Sequence, residues 1–508
     1  MKKRAIIVSV AVGVVVVAAS VMWHVQKVRE AKEAEGLLRD FQSESVEVRQ
    51  EAEGRMAEAK TGAVVEGLVE LVEDPDYTRR AIATLGKIGP EAIDTMIERL
   101  AYDESTSLRN MSVLSQISLE EIPADVSMIQ DGVSAMLVEI GPPALAALLR
   151  NLEQGNDETR AYCVKLLGEM GKKEALKPLL AAVEDRYAVV RWNTVAALAN
   201  FEDVEDAYQA VRARLKDEDA RVRLTALWVM AGRRDGFAAF YGLVGMDSRI
   251  LDDVLIAAKD EDAKVRSFAL SVLSNFDDRR VPAAAAVAVN DSVQEIRRKS
   301  ARILGMWRDA RGVDGLVEIL KAAKGKELVE IVTMLGRIGD SRAVAPLIDV
   351  VNGRDPERGA AVVALARCND RRAKDAVLKA LDNPDPRVRK EAAVGFEISY
   401  DERGVAPLIK MIGGDPDEPV RLAATWAMET YPTQEATDAL ITAYSDESAQ
   451  VRYAAVRLLG LRKDQTAMET LLAAITDKAV KVRAEAARAL YYFGDERVIS
   501  ALCESMRS

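Results

Sequence analysis

The chain has 508 residues, 49% of them hydrophobic and 30% charged, so it is too long for one compact core and too apolar for a disordered protein. Only 5% of residues are aromatic, and an apolar content dominated by Ala, Val and Leu favours helices over a β-sandwich. The formal charge of -11 argues against a nucleic-acid-binding surface.

The chain begins with an apolar segment. Residues 5–23 contain no charged side chain and are long enough to cross a bilayer core as a helix. Three basic residues before this segment favour a cytoplasmic N-terminus. We predict a membrane anchor over residues 1–24, with a cleaved signal peptide as the alternative, because residues 18–20 are small enough for a cleavage site. Either interpretation predicts that the rest of the chain is extracytoplasmic, as a single-pass membrane protein or a secreted one.

The polar residues that follow predict a spacer. Residues 25–42 are rich in Glu, Lys, Arg and Ala, which is typical of a charged helical stalk. After it we predict two parts, a less regular one at 43–159 and a regular one at 160–508. The regular part contains an insertion at 233–249.

A repeat of constant length organises the regular part. Starting from Arg160, one position recurs at steps of 31, 32, 43, 31, 31, 30, 31, 32, 31 and 31 residues. Arg occupies this reference position in all copies except one, where Leu328 replaces it, and Thr78 is a similar substitute earlier in the chain. A fixed period of this length is typical of a stacked repeat protein.

Each repeat predicts two helices. The first helix has apolar residues at three- and four-residue spacing, and the turn after it usually holds an Asp six residues before the reference Arg. Asp suits this position because its side chain bonds nearby backbone amides in turns. A further Asp, such as Asp219 or Asp262, can cap the second helix, which carries the Arg. We therefore predict an all-α solenoid of stacked helix pairs.

This pattern resembles the HEAT repeat family, and within it the prokaryotic form called phycobilisome-lyase-like HEAT repeats. The resemblance covers roughly residues 43–506 and depends on the Asp to Val-Arg spacing, the Pro in the first helix and the Ala-rich run of the second. It implies that the Asp and Arg residues form a structural ladder between repeats and that the Arg-bearing helices line the concave face. The ladder residues are Asp185, Arg191, Asp217, Arg223, Asp260, Arg266, Asp291, Arg297, Asp415, Arg421, Asp446, Arg452, Asp477 and Arg483.

Candidate partner-binding residues lie where the second helix turns away from its buried stripe, at positions two, five and nine after the reference Arg. Aromatic candidates border or lie within the insertion or occupy the same position in a later repeat: Trp228, Phe237, Phe240, Tyr241, Phe268 and Trp426. A basic strip is predicted in later repeats from Lys299, Arg302, Arg337 and Arg367. Packing of Trp228 under the insertion, and simple solvation of the basic side chains, are the alternatives.

Cysteine and histidine usage excludes several kinds of site. Cys163, Cys368 and Cys503 are far apart and form no Cys-x-x-Cys pair, so we expect them at small core positions. The only histidine is His24, which leaves no ligands for a zinc site in the repeats and no base for a His-dependent triad. No nucleotide-binding loop or nucleophile elbow is present. We therefore expect no cofactor, no metal and no enzymatic activity.

Together these features predict a membrane-anchored scaffold that binds protein partners outside the cytoplasmic membrane. We expect no nucleic acid and no small-molecule substrate among its partners. One alternative is a catalytic or non-catalytic subunit related to bilin-lyase-like HEAT proteins, although the N-terminal segment disfavours a cytosolic pigment-protein partner. Another is a purely architectural spacer of the envelope.

Overall fold

The structure is a computed structural model, and it describes residues 22, 25–59, 61–72, 74, 76–89, 92–97, 140–201, 204–231 and 248–491. The described elements are all α-helices or short 3-10 helices. They fall into two compact units, residues 1–257 and 258–508. This confirms an all-helical, solenoid-like fold for the described part of the chain. The predicted boundary at residue 160 stays a prediction.

The helices alternate between a first and a second helix in each repeat. In unit 1 the first helices are Gly62–Val72, Pro142–Gln154, Lys173–Ala182, Glu205–Ala213 and Leu251–Ala257, and the second helices are Val46–Ala59, Thr78–Ile88, Asp157–Met170, Ala188–Leu198 and Ala220–Ala231. Residues 25–41 and 92–97 are also helical.

Unit 2 follows the same alternation. Its second helices are Ala263–Leu273, Gln294–Met306, Gly325–Ile338, Gly359–Ala366, Pro386–Ser399, Glu418–Ala427, Ala449–Arg462 and Val480–Tyr491. Its first helices are Arg280–Ala288, Val313–Leu320, Val344–Asn352, Arg371–Ala380, Val405–Gly414, Gln434–Ala443 and Met468–Ala474. Each second helix from Gln294 onward packs on the second helix before it, so the repeats stack in chain order.

Small residues allow this close stacking. A methyl group added at Gly336 would lie 2.7 Å from the Ala364 Cα, and one added at Gly460 would lie 2.4 Å from the Ala489 Cβ. Both glycines occupy the same place in their repeats, eight residues after the reference position. The Ala-rich and Gly-rich pattern of the second helices is therefore a packing requirement, because a larger side chain would push neighbouring repeats apart.

The segment predicted as a charged stalk contributes to the core of unit 1. Residues 25–41 form a helix, and Leu37 and Phe41 in its second half are buried at 2% and 0% exposure. Arg80 donates to the Phe41 carbonyl oxygen at 2.8 Å and its guanidinium lies 4.3 Å from the centre of the Phe41 ring. The end of this helix is therefore held by the repeat that follows it.

The predicted membrane segment lies outside the described residues except for Met22. Within the part of the chain that the structure describes, no helix is both long and apolar enough to cross a membrane.

Candidate partner-binding surface and the ladders that position it

The Arg and Asp side chains of successive repeats are linked by hydrogen bonds. Arg191 donates from Nε and Nη2 to the two carboxylate oxygens of Asp217, each at 2.8 Å. Its Nη1 donates to the backbone oxygens of Asp185 and Arg186, at 2.9 and 3.2 Å, in the turn of its own repeat. One guanidinium thus forms hydrogen bonds both to the turn of its own repeat and to the Asp of the next repeat.

The same geometry recurs in both units. The Nε to carboxylate distance is 2.8 Å in Arg160–Asp185, Arg389–Asp415, Arg421–Asp446 and Arg452–Asp477, and 2.7 Å in Arg266–Asp291. We call this set, together with Arg191–Asp217, the buried ladder, because the side chains of Arg452 and Asp477 are each only 5% exposed. Bidentate Arg–carboxylate pairs of this kind fix orientation as well as energy.

The buried ladder is interrupted in the middle of unit 2. Arg297 donates to the backbone oxygens of Asp291 and Ser292, and within the described residues no carboxylate pairs with it. In the next repeat Leu328 replaces the Arg and is 2% exposed, and the Asp355 carboxylate accepts from the Gly325 amide at 3.3 Å instead. Arg483, the last residue predicted for the ladder, donates a hydrogen bond to the backbone carbonyl oxygen of Asp477.

The environment of the ladder carboxylates keeps them ionised. Hydrogen bonding from Arg266 lowers the pKa of Asp291 below its ordinary value. For Asp217 burial acts to raise the pKa, but hydrogen bonds from Arg191 and from the Asp219 amide outweigh it and lower the pKa overall. These groups have the shift expected of carboxylates in ion pairs.

A second set of Asp–Arg contacts, which the sequence analysis missed, runs along the other end of the repeats. Asp309, Asp340, Asp370 and Asp401 each cap the first turn of a first helix or the short 3-10 helix before it. The Arg two residues later folds back onto the same carboxylate. We call this set the exposed ladder, because its Arg side chains are 44–61% exposed.

The exposed ladder also links repeats. Arg342 reaches the Asp314 carboxylate at 2.8 Å, and Arg403 reaches the Asp375 carboxylate at 2.7 Å. An Asp-x-Arg motif at the same 30- or 31-residue interval was the signal in the sequence. The period of the reference Arg does not reveal this motif, because the motif lies in the other turn of each repeat.

The aromatic candidates have different fates. Trp228 is 48% exposed, whereas Phe268 is only 7% exposed and lies in the core. Trp426 is half-buried and packs on the core of unit 2. Phe237, Phe240 and Tyr241, with most of the predicted insertion, lie outside the described residues. Phe268 is therefore unsuited to binding a partner, because its ring faces the interior.

The basic candidates also divide. Lys299 donates to the Ser267 hydroxyl at 2.8 Å and pairs with Glu295 at 3.1 Å. Arg302 pairs with Glu327 and Glu330 on the next second helix. Arg337 and Arg367 are exposed, and neither has an ion-pair partner within residues 248–491. Only these two of the four predicted cations are thus available to a partner.

A cleft of about 300 Å³ lies in unit 1 between the helix Thr78–Ile88 and the start of Pro142–Gln154. Ile82, Ala83, Gly86, Ile140 and Pro143 line it, together with two basic residues, Arg79 and Lys87. Lys87 also lies 3.6 Å from a Glu53 carboxylate oxygen. An apolar lining beside cationic groups suits an apolar molecule that carries carboxylates.

The described cysteines are core residues. Cys163 and Cys368 are buried at 0% and 1% exposure. Burial raises the pKa of Cys163 far above its ordinary value and that of Cys368 to about 11. These two thiols are therefore poor nucleophiles at neutral pH. Cys503 lies outside the described residues.

Comparison with known proteins supports the repeat assignment. A family model described as HEAT repeats matches residues 142–231, 353–429 and 437–508. Among curated proteins, the bilin biosynthesis protein PecE of Nostoc sp. is 26% identical over 180 residues, which are 35% of this chain and 68% of PecE. The predicted resemblance to phycobilisome-lyase-like HEAT repeats is thereby confirmed.

Solved structures show more distant likenesses. The complex of CpcE and CpcF of phycocyanin lyase from Nostoc sp. PCC7120 matches with 21% identity and a TM-score of 0.27, over 44% of this chain and 94% of that one. A mutant of Kap121p matches with 16% identity and a TM-score of 0.37, over 94% of this chain and 55% of that one. Neither likeness is close enough to indicate a shared function.

The similarity to PecE corrects one expectation from the sequence. The absence of catalytic motifs led to the prediction of a protein without enzymatic activity, and that prediction is contradicted by the relationship to a bilin biosynthesis protein. The expectation of no small-molecule substrate has no support for the same reason. Motif searches miss such a protein because a binding surface on helical repeats has no short sequence signature.

Proposed function

Because the chain is built of HEAT repeats related to those of bilin-lyase-like proteins, we propose that it is a subunit that binds both a bilin and a protein partner. The observation that carries the proposal is the 26% identity to the bilin biosynthesis protein PecE over 180 residues. A bilin is an open-chain tetrapyrrole with two propionate groups, so it needs a long apolar contact and cationic partners.

Two features of unit 1 support this proposal. The cleft beside Ile82 combines an apolar lining with Lys87, whose side chain is 59% exposed and can pair with a propionate. Trp228 presents an indole that is 48% exposed, and such a ring can stack on a conjugated ligand or anchor a protein partner. The cleft would then bind the ligand, and the exposed face of the second helices would bind the partner.

Absorbance titration with biliverdin tests the ligand. We expect a shift of the long-wavelength band on addition of the full chain, and a loss of this shift in Ala83→Trp, which fills the cleft. Ala83 is exposed, so the larger side chain leaves the core intact. The matched control is Ala213→Trp, at another exposed alanine of unit 1. An unshifted spectrum for the wild-type chain at 100-fold excess would refute bilin binding.

Pull-down with the full chain tests the partner. We expect a bilin-carrying protein to be retained by the wild-type chain and reduced about tenfold by Trp228→Ala, since a central aromatic anchor contributes about 1.4 kcal/mol or more. Leu461→Ala removes a similarly exposed apolar side chain, 60% exposed, from unit 2 and should leave retention unchanged.

A second candidate function is the extracytoplasmic scaffold. The uncharged run at residues 5–23 with three basic residues before it supports a membrane anchor with the repeats outside the cytoplasm. A reporter fused after residue 508 distinguishes the two candidates. Alkaline phosphatase activity in intact cells supports the scaffold, whereas activity of a cytoplasmic reporter at the same junction supports bilin handling inside the cell.

A further inference from the structure

Four loops of unit 2 stack along one edge of the repeats. They are residues 336–342, 366–372, 397–403 and 429–435, each joining a second helix to the first helix of the next repeat. We call this set the charged edge. Arg372 donates to the backbone carbonyl oxygen of Ser341. The Tyr431 hydroxyl donates to the backbone carbonyl oxygens of Phe396 and Asp401, at 3.0 and 3.1 Å. These contacts show that neighbouring loops lie side by side.

The charges along this edge change sign at its centre. The first two loops contain five arginines and two aspartates, and the last two contain five carboxylates and one arginine. The net charge thus passes from positive to negative between Arg372 and Glu397. In contrast, the chain as a whole carries an excess of only 11 negative charges over 508 residues.

Several of these charges are not used within the chain. Arg337, Arg367 and Arg371 on the positive half are exposed, and none has an ion-pair partner within residues 248–491. The same is true of three carboxylates on the negative half, Glu397, Glu402 and Glu429. The two halves therefore offer three unused cations and three unused anions on one continuous edge.

An exposed aromatic residue lies beside the change of sign. Tyr400, on the first negative loop, is 73% exposed and holds a left-handed backbone with φ 52°. Its phenol ring is an apolar surface at the middle of the charged edge, where contacts are shielded from water when an interface forms.

We propose that the charged edge is an interface between two copies of this chain. A twofold axis near Tyr400 places the positive half of one copy on the negative half of the other, in both directions at once. Such an isologous contact needs a surface that complements itself when reversed, and a sign change at the centre of an edge supplies that property. A single acidic or basic partner protein would match only one half.

The dimensions of the edge fit a dimer of moderate affinity. Four loops at a helix-packing distance of about 8–10 Å span roughly 35 Å, and their 28 residues match the about 20–30 residues on one side of a standard interface. Because the charges are exposed, their attraction is screened by salt. The dimer should therefore dissociate as ionic strength rises.

Sedimentation velocity of the full chain tests the proposal, in detergent if the N-terminal segment is retained. We expect dimers at about 50 µM protein and 50 mM salt and monomers at 500 mM salt. Arg337→Glu with Arg367→Glu makes both halves negative and should give monomers at low salt. Glu397→Arg with Glu402→Arg and Glu429→Arg makes both halves positive and should also give monomers. An equimolar mixture of the two variants should restore dimers, since every facing pair is again opposite in sign.

The control variant has the same change in net charge as the double arginine variant, but at positions outside the charged edge. Lys379→Glu with Lys410→Glu alters two exposed residues on first helices and should remain dimeric. Circular dichroism checks that each variant is folded. A wild-type chain that is monomeric at low salt, or a dimer that persists in both charge-reversed variants, would overturn the proposal.

Discussion

The two ladders are built from the same residue types, Asp and Arg, and use the same bidentate contact, but they lie in different surroundings. In the buried ladder Arg452 holds Asp477 with both side chains 5% exposed, whereas in the exposed ladder Arg342 holds Asp340 with side chains 44% and 22% exposed. A buried ion pair is costly to break because the remaining charge is left without water or a partner. An exposed pair is replaced by water at little cost. Burial therefore decides which ladder holds the repeats together.

The largest effect is expected from breaking the buried ladder. Arg452→Met leaves the Asp477 carboxylate buried without its partner and should lower the free energy of unfolding by about 3–5 kcal/mol. Urea unfolding followed by circular dichroism, with hydrogen exchange in the helix Ala449–Arg462, measures the loss. Adding Asp477→Leu to Arg452→Met should recover most of it, because no buried charge then remains. A double variant as unstable as the single one would contradict this explanation.

Acid should weaken the buried ladder. The folded-state pKa of Asp217, Asp291 and Asp477 lies below the ordinary value, so these groups stabilise the fold fully above the unfolded pKa of about 3.9. This contribution is lost as the pH falls through the lower folded pKa. We expect urea midpoints that are flat from pH 7 to 5 and fall below about pH 4. Asp477→Asn should show a shallower acid dependence than the wild-type chain.

The ends of the second helices offer an intermediate effect. Lys463 has φ 55° at a position where Gly171, with φ 56°, stands in an earlier repeat. The left-handed conformation costs a non-glycine residue roughly 1 kcal/mol. Lys463→Gly should therefore stabilise the chain by about 0.5–1 kcal/mol, and Gly171→Ala should destabilise it by a similar amount. Urea midpoints check both, and a stabilising Gly171→Ala would disprove the backbone argument.

The smallest effect is expected in the exposed ladder. Arg342→Ala removes contacts to Asp340, Asp314 and the Ala310 oxygen, and it should cost only about 0.2–1 kcal/mol because the groups return to water. The loss should shrink further in 0.5 M salt, where surface charges are screened. A loss as large as that of Arg452→Met would erase the distinction between the ladders.

Periodicity made the helix pairs and the Asp–Arg spacing predictable, because both depend on positions that every copy must fill. Individual exposure was less predictable. Phe268 is two positions after Arg266, at the border of the buried stripe, and its ring turned inward. Lys299 and Arg302 were expected to be available to a partner. In the structure Lys299 pairs with Glu295, and Arg302 pairs with Glu327 and Glu330 of the next repeat. Sequence spacing gives the face of a helix, whereas the choice of partner depends on side-chain conformation and on neighbouring repeats.

Because each guanidinium of the buried ladder grips two repeats, it transmits the order of one repeat to the next and sets how far unfolding spreads. That transmission is weakest around the pair Val313–Leu320 and Gly325–Ile338, where Arg297 has no carboxylate within the described residues and Leu328 cannot donate. A pulling force or a mild denaturant should split unit 2 there first. We then expect an intermediate between the folded and unfolded states. In it the C-terminal repeats, which keep their Arg–Asp hydrogen bonds, remain folded as a separate cooperative block.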